Sequence, residues 1–219
     1  ALRSDVGLIF TPTGKFAIKV ITEEGTRRVV RFACELARKR KARGGKGKLT
    51  CTSKYNMLRE SDGLFRRIAE ETAKEYPDIR YEQYIVDDFA RRLVASPYDL
   101  DVVVMPNLYG DILSDAAAGT IGGLGLAPSG CYGANYAYFE SIHGTAPDIV
   151  GKHIINPTAT LLSATMMLDY LNFPDAVARI DHAVSQVYAD GRALTVDQGG
   201  SASSSAFCTA VREKLANVR

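Results

Sequence analysis

The sequence predicts an α/β fold, in which strands and helices alternate along the chain and pack in layers. Two observations support this prediction. Short strand-like runs alternate with stretches whose apolar residues recur at helical spacing. Residues 102–105, Val-Val-Val-Met, form an uninterrupted apolar run, which is typical of a parallel strand buried on both faces. No repeat of fixed period occurs, which excludes a solenoid.

The first half of the chain is predicted to alternate four strands with four helices. Thr22 and two following glutamates open the first helix and a run of four basic residues closes it, an order that suits the helix dipole. Ser61 is expected to cap the second helix, and Pro77 is expected to end it. The strands are predicted at residues 6–10, 49–52, 79–86 and 102–105, and the helices at residues 22–41, 61–76, 87–95 and 111–118.

Residues 116–139 form the longest uncharged stretch and are long enough to cross a bilayer. They contain six glycines and Pro128, so their backbone would lack internal hydrogen bonds in lipid, and we predict a loop rather than a membrane span. The α/β pattern is completed by a predicted strand at residues 136–139 and by predicted helices at residues 156–171, 174–188 and 204–216.

The composition excludes several classes of protein. The 219 residues suffice for one or two folded domains, and 27 basic against 25 acidic residues predict neither a nucleic-acid nor a membrane partner. The four cysteines are far apart, which favours a reducing compartment over a disulfide framework or a zinc site. The chain begins without Met and enters almost directly into a strand, so we expect it to be part of a longer protein.

Residues 107–115, Asn-Leu-Tyr-Gly-Asp-Ile-Leu-Ser-Asp, carry the most informative pattern. Asp111 and Asp115 are four residues apart on a predicted helix that follows a buried strand, so both carboxylates would face the crevice where α/β proteins bind ligands. With a third carboxylate from residues 86–88, Val-Asp-Asp, at another strand end, these oxygens would suit Mg²⁺ or Mn²⁺. The alternative is that the acids only stabilise a helix N-terminus.

Two further segments contain candidate functional residues. His143 lies in residues 139–148, Phe-Glu-Ser-Ile-His-Gly-Thr-Ala-Pro-Asp, which would suit an adenine or phosphate site; solvated loop side chains are the alternative. Lys54 lies just past a strand end, where it is either a base or an ordinary surface lysine. The basic run at residues 38–48 is expected to be a solvated turn, and it is no phosphate-binding loop because Leu49 stands where Ser or Thr is needed.

Together these three segments resemble the β-decarboxylating dehydrogenases, the family of the isocitrate, homoisocitrate, isopropylmalate and tartrate/malate enzymes. The resemblance runs from about residue 17 to the C-terminus. Its core comprises residues 107–115, residues 143–148, His-Gly-Thr-Ala-Pro-Asp, and residues 156–158, Asn-Pro-Thr. It implies an α/β, isocitrate/isopropylmalate dehydrogenase-like two-domain fold, incomplete in this chain. That fold differs from the Rossmann fold, and the missing Gly-x-Gly-x-x-Gly pattern agrees.

The resemblance also assigns roles to individual residues. Asp111 and Asp115 match the family's metal-binding aspartates, and Asp87 matches the aspartate that the second subunit contributes. Lys54 matches the catalytic lysine and Asn56 a nearby contact to substrate and nicotinamide, and both reach across the dimer. The residues that match the nucleotide-binding loop and adenine pocket are Glu140, His143, Gly144, Thr145, Ala146, Asp148, Ile149 and Asn156.

NAD is the implied cofactor. The Asp148 carboxylate would accept hydrogen bonds from ribose hydroxyls and repel the 2′-phosphate of NADP. Family members that use NADP often have Lys at this position and Tyr at the position of Ile149.

In the implied reaction, Mg²⁺ or Mn²⁺ lowers the pKa of the substrate's 2-hydroxyl and Lys54 takes or relays its proton while hydride passes to the nicotinamide. The resulting β-keto acid then loses CO₂.

The chain departs from the family pattern at its N-terminal end. The family's catalytic tyrosine has no counterpart, since no tyrosine precedes Tyr55, and the region that supplies substrate-binding arginines is absent. Either a truncated paralogue or a sequence that omits these segments would explain the departure, and we favour the second explanation. In that case a junction is expected between Phe10 and Thr13.

The first functional hypothesis is NAD-dependent oxidative decarboxylation of a malate-type 2-hydroxy acid. Isocitrate is preferred because residues 122–130 and 139–145 look most like subunits of NAD-isocitrate dehydrogenases, and homoisocitrate, 3-isopropylmalate, tartrate and malate are the alternatives. The second hypothesis is a non-catalytic regulatory subunit of such an enzyme. The absent tyrosine favours this second hypothesis, whereas the intact Lys54 and aspartates oppose it.

The resemblance finally implies a domain division and an assembly. Residues 1–120 would form the smaller domain, which pairs two subunits and carries catalytic residues, and residues 121–219 would form the C-terminal half of the large cofactor-binding domain. Because Lys54 and Asp87 would act in the neighbour's site, a homodimer or higher homo-oligomer with shared active sites is implied, with a hetero-oligomer as the alternative. The expected compartment is the cytoplasm, or the mitochondrial matrix in a eukaryote.

Overall fold

The computed structural model describes residues 8–11 and 14–217, which have the α/β architecture that the sequence predicts. The chain divides into two compact units, Ala1–Ser114 and Asp115–Arg219. The proposed roles of residues 1–120 and 121–219 as a dimerisation domain and part of a cofactor-binding domain stay predictions. No helix in the described part of the chain is long and apolar enough to cross a membrane.

The first unit begins with an antiparallel pair of strands, β1 (Leu8–Thr11) and β2 (Gly14–Phe16). Strand β1 covers most of the strand predicted at residues 6–10, of which residues 6 and 7 lie outside the described residues. Pro12 and Thr13, at the expected junction, also lie outside the described residues, so the junction stays a prediction.

The main sheet of the first unit has three parallel strands, with β3 at its centre. In the register of β3 with β4, Ser53 lies opposite Ile85, so the two strands end at the same edge. The residues that follow the carboxyl ends of these strands therefore lie close together at one edge of the sheet. The strands are β3 (Lys48–Ser53), β4 (Arg80–Ile85) and β5 (Val102–Val104), in the order β4-β3-β5.

Helices α1 (Glu23–Ala42) and α2 (Ser61–Ala73) bury their apolar sides against this sheet. As predicted, Thr22 caps α1, since its hydroxyl accepts a hydrogen bond from the backbone N–H of Gly25 at 3.2 Å. The core of the unit consists of Val30, Ala33, Cys34, Ala37, Leu49, Cys51, Phe65, Ala69, Tyr76, Ile79, Val102 and Val104. Helix α3 (Val86–Ala95) follows β4 directly.

The prediction that Ser61 caps α2 is wrong. Ser61 is the first residue of the helix, and Glu60 at the cap position makes no side-chain hydrogen bond to the helix. The N–H groups of Asp62 and Gly63 donate instead to the carbonyl of Leu58, at 2.9 and 3.2 Å. The chain already turns before the helix begins, so backbone carbonyls satisfy the first helical donors and no side-chain cap is needed.

The second unit combines a β-hairpin with helices. Helix α4 (Asn107–Thr120) crosses the boundary between the units, and strands β6 (Pro128–Tyr132) and β7 (Ala137–Ser141) form the hairpin. The prediction of loop for residues 128–132 is wrong. Gly130 lies opposite Phe139, and a Cβ on this glycine would lie 3.0 Å from the Phe139 ring, so the close contact favours a residue of low strand propensity at this position.

Three helices complete the second unit, at the positions that the sequence predicts. They are α5 (Thr158–Tyr170), which packs on the hairpin, α6 (Pro174–Asp190) and α7 (Ser204–Asn217). Their apolar core is formed by Ala183, Val184, Val187, Phe207 and Val211. The core of this unit thus lies between α6 and α7, one helical layer away from the hairpin.

Candidate functional site

Lys54 and Asp87 form an ion pair at the carboxyl edge of the parallel sheet. Lys54 is the first residue after β3, and Asp87 is the second residue of α3, which follows β4 without a break. Because β3 and β4 are hydrogen-bonded in parallel, their carboxyl ends bring these side chains together across 33 residues of sequence. The sheet thus joins the predicted catalytic lysine to one of the predicted metal-binding aspartates.

The Lys54–Asp87 pair is accessible to a ligand. The Lys54 side chain is 28% exposed and that of Asp87 64%. The backbone carbonyl of Lys54 accepts hydrogen bonds from the N–H groups of Met57 and Leu58, at 3.0 and 2.9 Å, which closes a tight turn after β3. Asn56, the predicted contact to substrate and nicotinamide, lies exposed in this turn, two residues from the lysine.

Asp111 and Asp115 lie one turn apart on α4, both exposed. The helix begins at Asn107, earlier than predicted, and its first turn contains no acidic residue. Asp111 is therefore in the second turn, where the dipole of the helix N-terminus no longer explains an acid. Leu108 and Ile112, on the same helix, are each 59% exposed.

The predicted metal-binding aspartates do not form a complete metal site within one chain. No three acidic, histidine or cysteine side chains of the described residues come close enough to hold a metal ion. The donor chemistry nevertheless suits a hard cation, since Asp111 and Asp115 offer two accessible carboxylates one helical turn apart. The three-aspartate site stays a prediction, and it requires Asp87 from a second chain.

A second carboxylate close to Lys54, this one buried, has no counterpart among the residues that the sequence predicts for the site. Asp62 has no exposed surface and accepts a hydrogen bond from the backbone N–H of Lys54 at 2.8 Å. The Lys19 ammonium forms an ion pair with the Asp62 carboxylate, and Tyr109 hydrogen-bonds to the same carboxylate. Burial, followed by this hydrogen bond, raises the pKa of Tyr109 to about 12. No local pattern marks Asp62, because acids in the first turn of a helix are common.

The predicted nucleotide-binding loop follows β7. Nδ1 of His143 lies 3.0 Å from the carbonyl oxygen of Gly144, which can only accept a hydrogen bond, so Nδ1 is the donor. Nε2 is buried and has no partner in the part of the chain that the structure describes. Ala146 adopts a left-handed conformation with φ of 45°, which a residue with a Cβ rarely does.

The remaining loop residues differ in exposure. Gly144, Thr145 and Asp148 are exposed, and Asp148 lies in a short 3₁₀ turn, Pro147–Ile149, where its carboxylate is accessible. Glu140 lies on β7, and its backbone carbonyl accepts a hydrogen bond from Ser163 Oγ at 2.6 Å, which fixes the strand to α5.

Asn156 is only 4% exposed, and its side chain is held by other residues of the second unit. Its amide nitrogen donates to Asp197 Oδ2 at 2.9 Å and to the Tyr188 hydroxyl at 3.1 Å, while its amide oxygen accepts from the Thr158 N–H at 3.0 Å. The side chain is therefore fully occupied, which leaves the backbone of Asn156 for any contact with adenine. No sequence pattern indicates Tyr188 or Asp197, which are 32 and 41 residues away.

The Asp197 carboxylate is held by several donors. Burial alone would raise its pKa, but hydrogen bonds from Thr195, Asn156 and Gln198 outweigh burial and lower the pKa. The Thr195 hydroxyl donates at 2.5 Å and Gln198 Nε2 at 3.0 Å. The ionised carboxylate therefore anchors Asn156 at neutral pH.

The sequence from residue 5 to residue 215 matches the model of the isocitrate/isopropylmalate dehydrogenase family. The chain belongs to this family. The residues that carry the resemblance thus belong to an isocitrate/isopropylmalate dehydrogenase scaffold, and the α/β fold expected from them is confirmed. The roles of individual site residues stay predictions.

Three relatives show how close the family likeness is. The chain is 51% identical over 191 residues to a probable isocitrate dehydrogenase (NAD) subunit alpha, mitochondrial, of Caenorhabditis elegans, covering 87% of this chain and 52% of the relative. It is 50% identical over 184 residues to 3-isopropylmalate/3-methylmalate dehydrogenase of Methanocaldococcus jannaschii, covering 84% and 55%. The crystal structure of isocitrate dehydrogenase from Methylococcus capsulatus superimposes with a TM-score of 0.87 at 42% identity, covering 93% and 59%. The chain thus spans about half the length of the curated relatives it matches.

Proposed function

We propose that the protein catalyses NAD-dependent oxidative decarboxylation of a malate-type 2-hydroxy acid, with isocitrate converted to 2-oxoglutarate as the preferred reaction. The observation that carries the proposal is the Lys54–Asp87 ion pair at the carboxyl edge of the sheet. It places a proton-transfer group beside a carboxylate that suits a hard cation, at the edge where α/β proteins bind ligands. Membership in the family supports the same reaction class.

The active site is shared between two chains in this proposal. Asp111 and Asp115 of one chain and Asp87 of a second chain would hold Mg²⁺ or Mn²⁺, because no chain brings three such ligands together among its described residues. Leu108 and Ile112 on α4, next to the two aspartates, are exposed, and a second copy would cover them in such an assembly. A homodimer or higher homo-oligomer follows.

The chain's own residues would divide the chemistry between them. The bound cation supplies Lewis-acid polarisation of the substrate's 2-hydroxyl and carboxylate, and NAD supplies the hydride acceptor. Lys54 would take or relay the proton of the 2-hydroxyl, and Asp87, its ion-pair partner, would hold the Lys54 ammonium within reach of the substrate. Asn56, exposed in the turn after Lys54, would contact the substrate and the nicotinamide.

NAD would bind along the loop after β7 in the second unit. The buried Nε2 of His143 lacks a partner within the described residues, and a hydroxyl or amino group of the adenosine half would satisfy it. The accessible carboxylate of Asp148 would accept hydrogen bonds from the ribose hydroxyls and repel a 2′-phosphate. The remaining contacts would come from Glu140, Gly144, Thr145, Ala146, Ile149 and Asn156.

The compartment that suits this protein is a reducing one, the cytoplasm or, in a eukaryote, the mitochondrial matrix. All four cysteines, Cys34, Cys51, Cys131 and Cys208, are free thiols, and two of them are buried. Free thiols persist in reducing compartments.

The proposal is tested with purified full-length protein, NAD⁺ and Mn²⁺. Isocitrate, homoisocitrate, 3-isopropylmalate, tartrate and malate are each supplied, and NADH is followed by its absorbance. We expect NADH and CO₂ with isocitrate, no reaction after chelation of the metal, and a much lower rate with NADP⁺. NADH with a different acid of the series would change the substrate and keep the reaction class. Absence of NADH with every acid would contradict the proposal and favour a regulatory subunit.

A further inference from the structure

We propose that Asp62 is a positioning residue for Lys54. Its buried carboxylate fixes the backbone of Lys54 and so directs the ammonium to Asp87 and to the bound substrate. This inference depends on the proposed function in one respect, namely that Lys54 transfers a proton in the reaction. The contacts that carry the inference belong to the first unit alone.

The Asp62 side chain ties down the turn that carries Lys54. Its Oδ2 accepts the Lys54 N–H at 2.8 Å, and its backbone carbonyl accepts the Ser53 hydroxyl at 3.3 Å. Two successive residues at the end of β3 are therefore bonded to one residue of α2. Because Lys54 is the first residue after the strand, this bond fixes the point from which its long side chain extends.

The carboxylate is held by more than this one hydrogen bond. A buried ionised carboxylate is costly unless it is paired and hydrogen-bonded. Here the Lys19 ammonium forms an ion pair with Oδ1 and also lies over the Tyr109 ring, 4.5 Å from its centre. Tyr109 in turn hydrogen-bonds to Asp62. Asp62 therefore connects the turn of Lys54 to α4, two residues before Asp111.

A second buried aspartate provides the matched comparison. Asp101 is 2% exposed at its side chain, pairs with Arg40 at 2.6 Å and accepts the backbone N–H of Lys48 at 3.3 Å. Lys48 is the first residue of β3, whereas Lys54 follows its last. The two aspartates thus have the same kind of contact at opposite ends of one strand, and only Asp62 lies beside the catalytic lysine.

The experiment compares Asp62→Asn, Asp62→Ala and Asp101→Asn in the full-length protein. All three variants are expected to lower Tm. Only the Asp62 variants should lower kcat, by about 10- to 100-fold, because misplacement of a catalytic group costs a factor of this order. Asp62→Asn keeps an acceptor for the Lys54 N–H and should lose less than Asp62→Ala. The affinity for NADH, measured by its fluorescence, should stay unchanged in all variants.

A second measurement needs no substrate. Trinitrobenzenesulfonate labels lysine amines, and mass spectrometry of the peptides gives the labelling rate of Lys54. When loss of the carboxylate charge weakens the hydrogen bond to the backbone of Lys54, its ammonium leaves Asp87 more often, so Lys54 should be labelled several-fold faster in Asp62→Asn and at the wild-type rate in Asp101→Asn. This measurement separates the positioning role from the reaction, because it also works with an inactive protein.

The outcomes are distinct. If the wild-type protein is inactive with every acid, the proposed function is wrong. If Lys54 is nevertheless labelled faster in Asp62→Asn alone, the positioning role is supported. Wild-type kcat and wild-type labelling in Asp62→Asn would overturn the positioning role. Equal losses of kcat in Asp62→Asn and Asp101→Asn would also overturn it, because the effect would then follow stability. If Asp62→Ala does not fold, the isosteric Asp62→Asn decides.

Discussion

The Lys54 ammonium and the Asp87 carboxylate are ion-paired, and both belong to the set of residues that family resemblance assigns to the neighbouring subunit's site. One chain thus brings together two of the residues that it would give to its partner. Asp111 and Asp115, assigned to the chain's own site, lie on a different helix and complete no metal site within the described residues. This division is what a site shared between two chains requires.

Reversing the charge at Asp148 should change the cofactor preference. In Asp148→Lys/Ile149→Tyr, the ammonium would attract the 2′-phosphate that the carboxylate repels, and the ratio of kcat/KM for NAD⁺ over NADP⁺ should fall by at least about 10-fold, or about 1.4 kcal/mol. The ratio is measured by initial rates with both cofactors. Asp175→Lys, the same change at an exposed position of α6, should leave the ratio unchanged. An unchanged ratio in the double variant would remove Asp148 from the cofactor site.

Asp197 should make the stability of the second unit depend on pH. Its folded-state pKa is lowered below the ordinary 3.8, so the ionised group stabilises the folded state above that pH, and this contribution is lost as the pH falls through the folded pKa. Asp197→Asn should therefore lower Tm at neutral pH by about 2–4 °C, which corresponds to about 1 kcal/mol for this partly exposed group. The difference from wild type should shrink below about pH 4.

Two measurements accompany this variant. Thermal unfolding followed by circular dichroism from neutral pH to about pH 3 gives the stability difference. Because Asp197 holds Asn156, Asp197→Asn should also weaken NADH binding several-fold. Glu213→Gln, an exposed carboxylate on α7, is the control and should change neither quantity. A Tm difference that stays the same in acid would contradict the role of the ionised Asp197.

The cysteines should react with iodoacetamide in an order set by burial. Burial raises the pKa of Cys34 to about 11 and that of Cys51 to about 12, and both thiols are 1% exposed or less, so neither forms a reactive thiolate in the native state. Exposed Cys131 should be labelled on the order of 100-fold faster at neutral pH. Peptide mass spectrometry gives the rates, with urea-unfolded protein as the control. Native Cys51 reacting as fast as Cys131 would contradict the packing of β3.

Much of the fold was predictable because its signals are local. Helix α1 shows its cap, its acidic start and its basic end within 21 residues, and β5 shows an unbroken apolar run. Strand β6 could not be found this way. Its Gly130 is favoured by the close Phe139 ring on the facing strand, and without knowledge of that contact a glycine in the sequence indicates a loop.

The candidate site was predictable only in part, for the same reason. Lys54, Asp87, Asp111 and Asp115 stand at strand ends or one helical turn apart, which are positions that a linear pattern indicates. Asp62 and Asp197 act through a backbone N–H and an amide side chain that folding brings close, from 8 and 41 residues away. Such supporting residues have no sequence period, so the structure is needed to find them.

The sharing of active sites between chains is tested most directly by mixing inactive variants. Lys54→Met and Asp111→Asn are each inactive as homodimers in this account. In a mixed dimer, one site receives an intact Lys54–Asp87 pair from the Asp111→Asn chain and intact aspartates from the Lys54→Met chain. Equal mixing after reversible unfolding makes half of the dimers mixed, so about a quarter of wild-type activity should return.

The matched control is a mixture of Lys54→Met with Asp87→Asn. Both changes lie in the half-site that a chain gives to its partner, so every site in every dimer is defective and no activity should return. Recovery of about a quarter with the first mixture and none with the second is the predicted result. No recovery with the first mixture, from chains shown to form mixed dimers, would contradict the shared site.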